Sequence, residues 1–107
     1  MAKTKEVREA ITNLSDTVDL MNSASYKERF IAEYMQTKIR YEKLKAFNTK
    51  IEAAQRMRFS EIETKISEPT HDCPADLLVE QQRIMGEYLH LLELRAEIEK
   101  IDLNKNY

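Results

Sequence analysis

Aromatic and basic side chains alternate along one stretch in the first half of this 107-residue chain. Aromatic faces stack on nucleobases and Arg or Lys binds phosphate, so the pattern is typical of a segment that holds nucleotides without a specialised loop. The alternative is that tyrosines at helical spacing are core residues and that the lysines between them are solvated. The alternating residues are Tyr26, Arg29, Tyr34, Lys38, Arg40, Tyr41, Lys43, Lys45 and Phe47.

The charge distribution also favours an anionic partner. Residues 38–58 hold seven basic residues against two acidic ones, whereas residues 59–107 hold five against eleven, although the formal net charge is only −2. A basic segment of this kind attracts anions. The alternative is a solvated helix face that the acidic third of a neighbouring copy neutralises.

No other group of residues predicts a reactive centre. The run His71–Cys73, together with His90, does not provide the four closely spaced ligands of a structural zinc site. Cys73 with His71 matches no nucleophile motif, and one glycine in the whole chain leaves no glycine-rich phosphate loop. We therefore predict a protein that is not an enzyme, with no catalytic residue, no metal and no cofactor.

The composition predicts long helices in one domain over residues 1–107. Charged residues make up 34% of the chain and apolar residues 42%, with one glycine and two prolines. The apolar residues recur at helical spacing, which favours packed helices over disorder. One cysteine, no apolar N-terminal run and no stretch of roughly 18 apolar residues predict a cytoplasmic protein without a secretory signal or a membrane span.

The first two predicted helices are separated by a short polar break. The first covers about residues 4–22 and carries a narrow apolar seam that suits another helix. The second covers about 26–67 and begins at a capping box of Ser25 and Glu28, with a bend or break expected near 48–58, where apolar residues are sparse. The seam consists of Val7, Ile11, Leu14, Val18 and Met21.

The third predicted helix, about residues 75–103, follows Pro74 and carries two apolar stripes. An antiparallel neighbour buries one stripe, so the other needs a second partner, either the first helix or another copy of the chain. We expect an all-α protein in which an N-terminal amphipathic helix and a long antiparallel helical hairpin assemble as a helical oligomer. One stripe contains Ile84, Tyr88, Leu91 and Ile98, and the other contains Met85, Leu89, Leu92 and Ala96.

Gly86 stands inside this third helix. Glycine in a helix interior costs roughly 1 kcal/mol relative to alanine. Its presence indicates a close helix–helix contact or a ligand that approaches the backbone, unless it is simply a surface glycine.

Two stretches of the chain resemble a family of small phage proteins. Residues 26–47 contain Y-x-x-R-(apolar)-x-x-E and then K-L-x-x-F, which resembles the first long helix of that family. Residues 77–98 contain L-L-x-x-Q-x-x-x-M-x-x-Y-x-x-x-L-x-x-R, which resembles its second helix. Residues 1–22 and 48–72 depart from the compact family pattern. The chain thus resembles the anti-CBASS sponge proteins of phages, which sequester the cyclic oligonucleotides that activate bacterial anti-phage effectors.

This resemblance implies a homo-oligomer, a hexamer in the family, with pockets for cyclic dinucleotides between protomers. Bases would lie against an aromatic ring and phosphates near basic side chains. Tyr26 resembles the family's early tyrosine, with Arg40 or Lys43 as its basic partner. Arg95 resembles the arginine of the second helix, a candidate for a separate cyclic trinucleotide site. The candidate ligand-binding residues are Tyr26, Arg29, Arg40, Tyr41, Lys43, Tyr88 and Arg95.

Two hypotheses of function follow. The first is a sponge that sequesters cyclic dinucleotides and trinucleotides without cleaving them, in the cytoplasm of an infected bacterial host. The alternative is a coiled-coil oligomer or helical adaptor that binds another protein and uses the face from Tyr26 to Phe47 as its interface. We expect no membrane partner, because no apolar stretch is long enough to span a membrane. We expect no duplex nucleic acid, because a net charge of −2 leaves no broad basic surface.

Overall fold

Two long helices that run antiparallel to each other dominate the structure. The computed structural model describes residues 13–60 and 66–103, and within these ranges it contains helices and no strands. No helix in the described part is long and apolar enough to cross a membrane. The sequence prediction of an all-α chain with a long helical hairpin is confirmed. The elements are a 3₁₀ turn at Leu14–Thr17 and the helices α1, Val18–Met21, α2, Tyr26–Met57, and α3, Ala75–Glu99.

The chain before α2 is less regular than the sequence predicts. The first predicted helix is, in its described part, a 3₁₀ turn followed by one turn of α-helix. The predicted seam is wrong there, because Val18 and Met21 are about half exposed whereas Thr17 is fully buried. The side chain of Gln36 on α2 donates to Thr17 Oγ1 at 2.7 Å, so a polar contact sets the inward face. Outside the described residues lie the predicted seam positions Val7 and Ile11.

Helix α2 begins at a cap formed by neighbouring serines. Ser25 Oγ accepts a hydrogen bond from the backbone N–H of Glu28 at 3.4 Å, which is half of the predicted capping box. The Glu28 carboxylate accepts from the hydroxyl of Ser23 instead of the N–H of Ser25. Ser23 Oγ in turn accepts from the Ser25 N–H at 3.0 Å. The predicted start of the helix is correct, because the residues that form this cap are close together in the sequence.

Helix α2 is shorter than predicted. It ends at Met57, inside the stretch where a bend or break is expected, and residues 66–74 are not helical. The predicted continuation to residue 67 is therefore wrong. Phe59 is 89% exposed, so another helical turn there would bury little apolar surface, and burial supplies most of the stability of a helix in a protein.

Helix α3 ends in a left-handed residue and does not continue to residue 103 as predicted. Lys100 has φ 58° and ψ 45°. The N–H of Ile101 donates to the carbonyl of Ala96 at 2.8 Å, the hydrogen bond that defines a Schellman motif. This turn directs Ile101 and Leu103 back onto the core, where each is 5% exposed.

The core lies between α2 and α3. On α3 the stripe of Leu89, Leu92 and Ala96 is buried, as packing against one antiparallel neighbour predicts. The other stripe faces away, since Ile84 and Leu91 are at least half exposed. In the described part of the chain, α1 packs on α2 and not on α3, so it does not cover this stripe. The core cluster consists of Phe30, Ile31, Tyr34, Leu89, Leu92, Ala96, Ile101 and Leu103.

Gly86 lies at a close contact between the two long helices. A Cβ atom added to Gly86 would lie 3.3 Å from Tyr41 Cε1, so the absence of a side chain lets the tyrosine ring pack on the backbone of α3. This contact explains the glycine and confirms one of the alternatives that the sequence leaves open.

Candidate functional site

One end of the hairpin carries a tyrosine, an arginine and a glutamate in mutual contact. Tyr26 is the first residue of α2, and Arg95 and Glu99 lie in the last two turns of α3, so antiparallel pairing brings them together. The Tyr26 hydroxyl donates to Glu99 Oε1 at 2.6 Å and accepts from Arg95 Nη2 at 2.7 Å. Arg95 Nε donates to Glu99 Oε2 at 3.1 Å. We call these three residues the Tyr26 cluster.

Phe30 lies beneath the Tyr26 cluster. The centroid of its ring is 5.0 Å from the guanidinium carbon of Arg95 and 6.1 Å from the centroid of the Tyr26 ring, which it meets edge-on. Phe30 is 4% exposed, whereas Tyr26 is 47% exposed. The buried ring therefore supports an accessible aromatic face beside a cation, the two groups that bind a base and a phosphate.

Hydrogen bonds set the protonation states of the Tyr26 cluster. The bond to Glu99 raises the pKa of Tyr26, so the phenol is protonated at neutral pH. The bond from Tyr26, together with Arg95, lowers the pKa of Glu99. The bond to Glu99 raises the pKa of Arg95. The cluster is therefore a neutral phenol between a guanidinium and a carboxylate.

Tyr34 is a core residue rather than a free aromatic surface. It is 2% exposed, and its hydroxyl donates to Glu93 Oε2 at 2.7 Å. Burial and, secondly, this hydrogen bond raise the pKa of Tyr34 well above its ordinary value. Lys38 Nζ lies 5.9 Å from the ring centroid. For this tyrosine the alternative reading of the aromatic and basic pattern is correct.

Two other predicted ligand residues contact neighbours within the chain. Arg29, near the start of α2, donates from Nη1 to the carbonyl of Ser23 at 2.8 Å. The Tyr88 hydroxyl donates to the carboxylate of Glu33 and so joins α3 to α2. Each of these side chains is exposed despite its contact.

Arg40 and Lys43 are exposed on α2 but lie far from Tyr26 in the same chain. Their sequence separations from Tyr26 correspond to roughly 21 and 26 Å along the helix axis. Within one chain, Arg40 and Lys43 therefore do not reach the Tyr26 ring, although the resemblance pairs them with it. The structure brings Arg95 there instead, whereas the resemblance assigns Arg95 to a separate site.

Tyr41 borders a groove of about 300 Å³ between α2 and α3. Lys45, Arg83 and Asn48 also line the groove. The Asn48 side chain is buried and donates to the carbonyl of Leu78 at 3.1 Å, which joins the two helices. The groove is thus a second aromatic and basic surface, separate from the Tyr26 cluster.

His71 anchors the connection that leads into α3. Its Nδ1 lies 2.6 Å from the carbonyl oxygen of Cys73, and its Nε2 lies 2.8 Å from Glu68 Oε2. The imidazole packs edge-on against Phe47, with 6.3 Å between ring centroids. Among the residues that the structure describes, no three His, Cys, Asp or Glu side chains are grouped to hold a metal ion.

Phe30 and Glu99 are functional candidates that the sequence predictions omitted. Each follows a predicted ligand residue by four positions, Phe30 after Tyr26 and Glu99 after Arg95, and such pairs share one face of a helix. This four-residue spacing is the sequence signal from which Phe30 and Glu99 could have been predicted. The contact between the helix ends, by contrast, joins residues 73 positions apart and has no local signal.

Comparison with known proteins identifies the family. Searches of curated proteins and of solved structures give no significant match. The Sequestin family model matches residues 24–98, which is more than half of the chain and includes Tyr26 and Arg95 but ends one residue before Glu99. This is the phage anti-CBASS cyclic-nucleotide sponge family that the sequence resembles, and it implies a sequestering role rather than a catalytic one. The chain therefore belongs to the Sequestin family and has a sponge-type role against bacterial defence.

Proposed function

We propose that this protein captures cyclic dinucleotides and cyclic trinucleotides in the cytoplasm of an infected bacterial host and holds them without cleaving them. The observation that carries this proposal is the Tyr26 cluster, where an exposed aromatic ring adjoins a guanidinium. Capture of the messenger would keep it from the effectors that it activates. Because each site would retain one ligand, the number of sites would determine how much messenger is removed.

Affinity would come from stacking and from charge-assisted hydrogen bonds. A base would stack on the ring of Tyr26, and base stacking on an aromatic side chain contributes about 1–3 kcal/mol. A phosphate of the ligand would accept hydrogen bonds from Arg95, which are shorter and stronger than those between neutral groups. Phe30 would keep the guanidinium in place through the cation–π contact.

The chemistry of the same residues supports the proposal of retention without cleavage. Hydrolysis of a phosphodiester needs an activated nucleophile or a base that activates water. The Tyr26 phenol is a poor nucleophile because its hydrogen bond to Glu99 raises its pKa. The Glu99 carboxylate is a weak base because the bonds from Tyr26 and Arg95 lower its pKa.

A complete pocket would combine side chains from two copies of the chain. Arg40 and Lys43 cannot reach Tyr26 in the same chain, because roughly 21–26 Å of α2 separates them. A second copy can supply either residue if its α2 lies across the end of the hairpin. The exposed stripe of α3 offers the apolar surface for such an assembly. The resemblance implies a hexamer.

Isothermal titration against a panel of cyclic dinucleotides and trinucleotides tests the proposal. We expect saturable binding of at least one ligand at micromolar concentrations or below. After prolonged incubation and denaturation of the protein, chromatography should recover that ligand intact. Absence of heat across the panel would contradict ligand capture, and recovery of linear products would contradict retention without cleavage.

A helical adaptor is the second candidate function, and the exposed stripe of α3 favours it. Ile98 is 80% exposed and Leu91 is 56% exposed, and exposed apolar residues that share one helix face suit contact with another protein. The variants Tyr26→Ala and Lys43→Ala distinguish the two functions. Loss of nucleotide binding at unchanged oligomer mass supports the sponge, whereas dissociation of the oligomer supports the adaptor.

A further inference from the structure

Glu99 occupies the position in the Tyr26 cluster that an anionic ligand would need. Its two carboxylate oxygens accept from the Tyr26 hydroxyl at 2.6 Å and from Arg95 Nε at 3.1 Å. These are the donors that a phosphate oxygen would use at the same place. A carboxylate and a phosphate carry like charges, so both cannot share these donors at hydrogen-bond distance.

A glutamate at position 99 does not by itself stabilise helix α3. It is the last residue of α3, where the helix dipole disfavours a negative charge. Its side chain remains 31% exposed and that of Arg95 52% exposed, so the carboxylate can rotate into solvent without a change in the core. The hydrogen bonds within the cluster therefore hold the carboxylate in place.

We propose that Glu99 is a resident carboxylate which the ligand phosphate displaces, and that this exchange sets the affinity of the site. The inference rests on the proposed function, in which Tyr26 and Arg95 bind the ligand. Without ligand, Glu99 neutralises the guanidinium and keeps the phenol and the guanidinium in a fixed geometry. On binding, the phosphate takes the hydrogen bonds, and Glu99 turns outward. Glu99 thereby selects ligands whose phosphate groups bind more strongly than its own carboxylate.

The variant Glu99→Gln tests the exchange. The amide keeps the size of the side chain but removes the charge that competes with phosphate. We expect about two- to fivefold tighter binding of a cyclic dinucleotide, the range that corresponds to the loss of one partly exposed like charge. Unchanged or weaker binding would overturn the proposal.

Glu87 offers a matched control on the same helix. Glu87 and Arg83 form an i,i+4 pair with a 2.9 Å contact, comparable with the pair of Glu99 and Arg95, but they lie outside the Tyr26 cluster. Glu87→Gln changes the net charge by the same amount, and we expect it to leave the affinity unchanged. Equal gains in both variants would show a general charge effect and would contradict a specific exchange at Glu99.

Inorganic phosphate separates this inference from the proposed function. The ¹H–¹⁵N signal of Arg95 Nε, whose hydrogen now points to Glu99, reports phosphate at the cluster in a direct titration. We expect tighter phosphate binding in Glu99→Gln than in the wild type or in Glu87→Gln, even if no cyclic oligonucleotide binds. If cyclic ligands bind but neither probe distinguishes Glu99→Gln, the sponge function stands and the exchange is refuted.

Glu99→Asp provides the same test should the amide reduce the helical content. The shorter carboxylate keeps its charge but cannot reach both Tyr26 and Arg95, so the ligand meets weaker competition. We again expect tighter binding than in the wild type. An affinity equal to or below that of the wild type would overturn the proposal.

Discussion

At the scale of single residues, hydrogen-bond partners determine which tyrosines remain available to a ligand. Three tyrosine hydroxyls donate to glutamate carboxylates across the helix pair. Among the described residues, only the hydroxyl of Tyr26 also contacts a guanidinium. Its ring is half exposed, whereas Tyr34 is buried. The same residue type thus serves packing at one position and offers a ligand surface at another. The three pairs are Tyr26 with Glu99, Tyr34 with Glu93, and Tyr88 with Glu33.

His71 gives a prediction about pH at this scale. Its hydrogen bond to the Cys73 carbonyl and, secondly, that to Glu68 raise the pKa of His71, because both acceptors favour the doubly protonated ring. A raised pKa in the folded state stabilises the fold below the unfolded pKa of about 6.5, and this stabilisation is lost as pH rises through the folded pKa. We expect the free energy of unfolding, measured with denaturant, to fall between pH 6 and pH 9.

Two substitutions check the assignment to His71. His71→Gln should remove most of this pH dependence, because it removes the imidazole that contacts Glu68 and the Cys73 carbonyl. His90→Gln is the matched control on the exposed face of α3 and should retain the dependence. A similar slope in the wild type and in His71→Gln would contradict the role given to His71.

At the scale of elements, the antiparallel register of α2 and α3 positions the site. The register brings the first residue of one helix to the last turns of the other, and it seats Tyr41 on Gly86. The turn at Lys100 ends α3 directly after Glu99 and folds the following residues onto the core. The site therefore depends on where both helices end.

Lys100 gives a prediction at this scale. A residue other than glycine in the left-handed region destabilises the folded state by roughly 1–2 kcal/mol. Glycine avoids this strain, but it gives the unfolded chain more conformational freedom, which offsets part of the gain. Lys100→Gly should therefore raise the free energy of unfolding by about 0.5–1 kcal/mol. Lys100→Ala removes the same charge but keeps the Cβ atom, so it should give no such gain in denaturant unfolding. Equal effects of both variants would indicate a charge effect.

The difference between the predicted and observed elements has a physical basis. The start of α2 and the buried stripe of α3 were predictable because a serine cap and helical periodicity are local properties. The end of α3 was not, because Lys100 carries no sequence signal for a left-handed conformation. Glu99 was missed as a partner of Tyr26 because their contact depends on the register between two helices, which neither segment specifies alone.

At the scale of the whole molecule, the exposed stripe of α3 is the main feature that the described chain leaves uncovered. Three of its residues and Leu77, which precedes them on the same helix, recur at intervals of seven, the repeat that packs one helix along another. Each of them is at least half exposed. Assembly of several copies through this face would bury it. The four residues are Leu77, Ile84, Leu91 and Ile98.

Leu91→Glu tests this assembly. The substitution adds a charge to the centre of the exposed stripe, so the oligomer mass measured by light scattering should fall. Helical content and the stability of the chain should change little, by about 0.5 kcal/mol or less, as is usual for surface positions. Ala46→Glu adds the same charge to an exposed position of α2 outside the stripe and should keep the mass. An unchanged mass for Leu91→Glu would contradict an interface on this face.

The central claim is that the Tyr26 cluster binds the cyclic oligonucleotide, and one calorimetric comparison tests it most directly. Arg95→Gln should weaken ligand binding at least about tenfold, since hydrogen bonds to a charged group contribute about 1.5–3 kcal/mol. Arg56→Gln removes the same charge from an exposed position on α2 that lies outside both the cluster and the groove, and should change the affinity less than about twofold. Equal affinity of Arg95→Gln and the wild type would contradict the account.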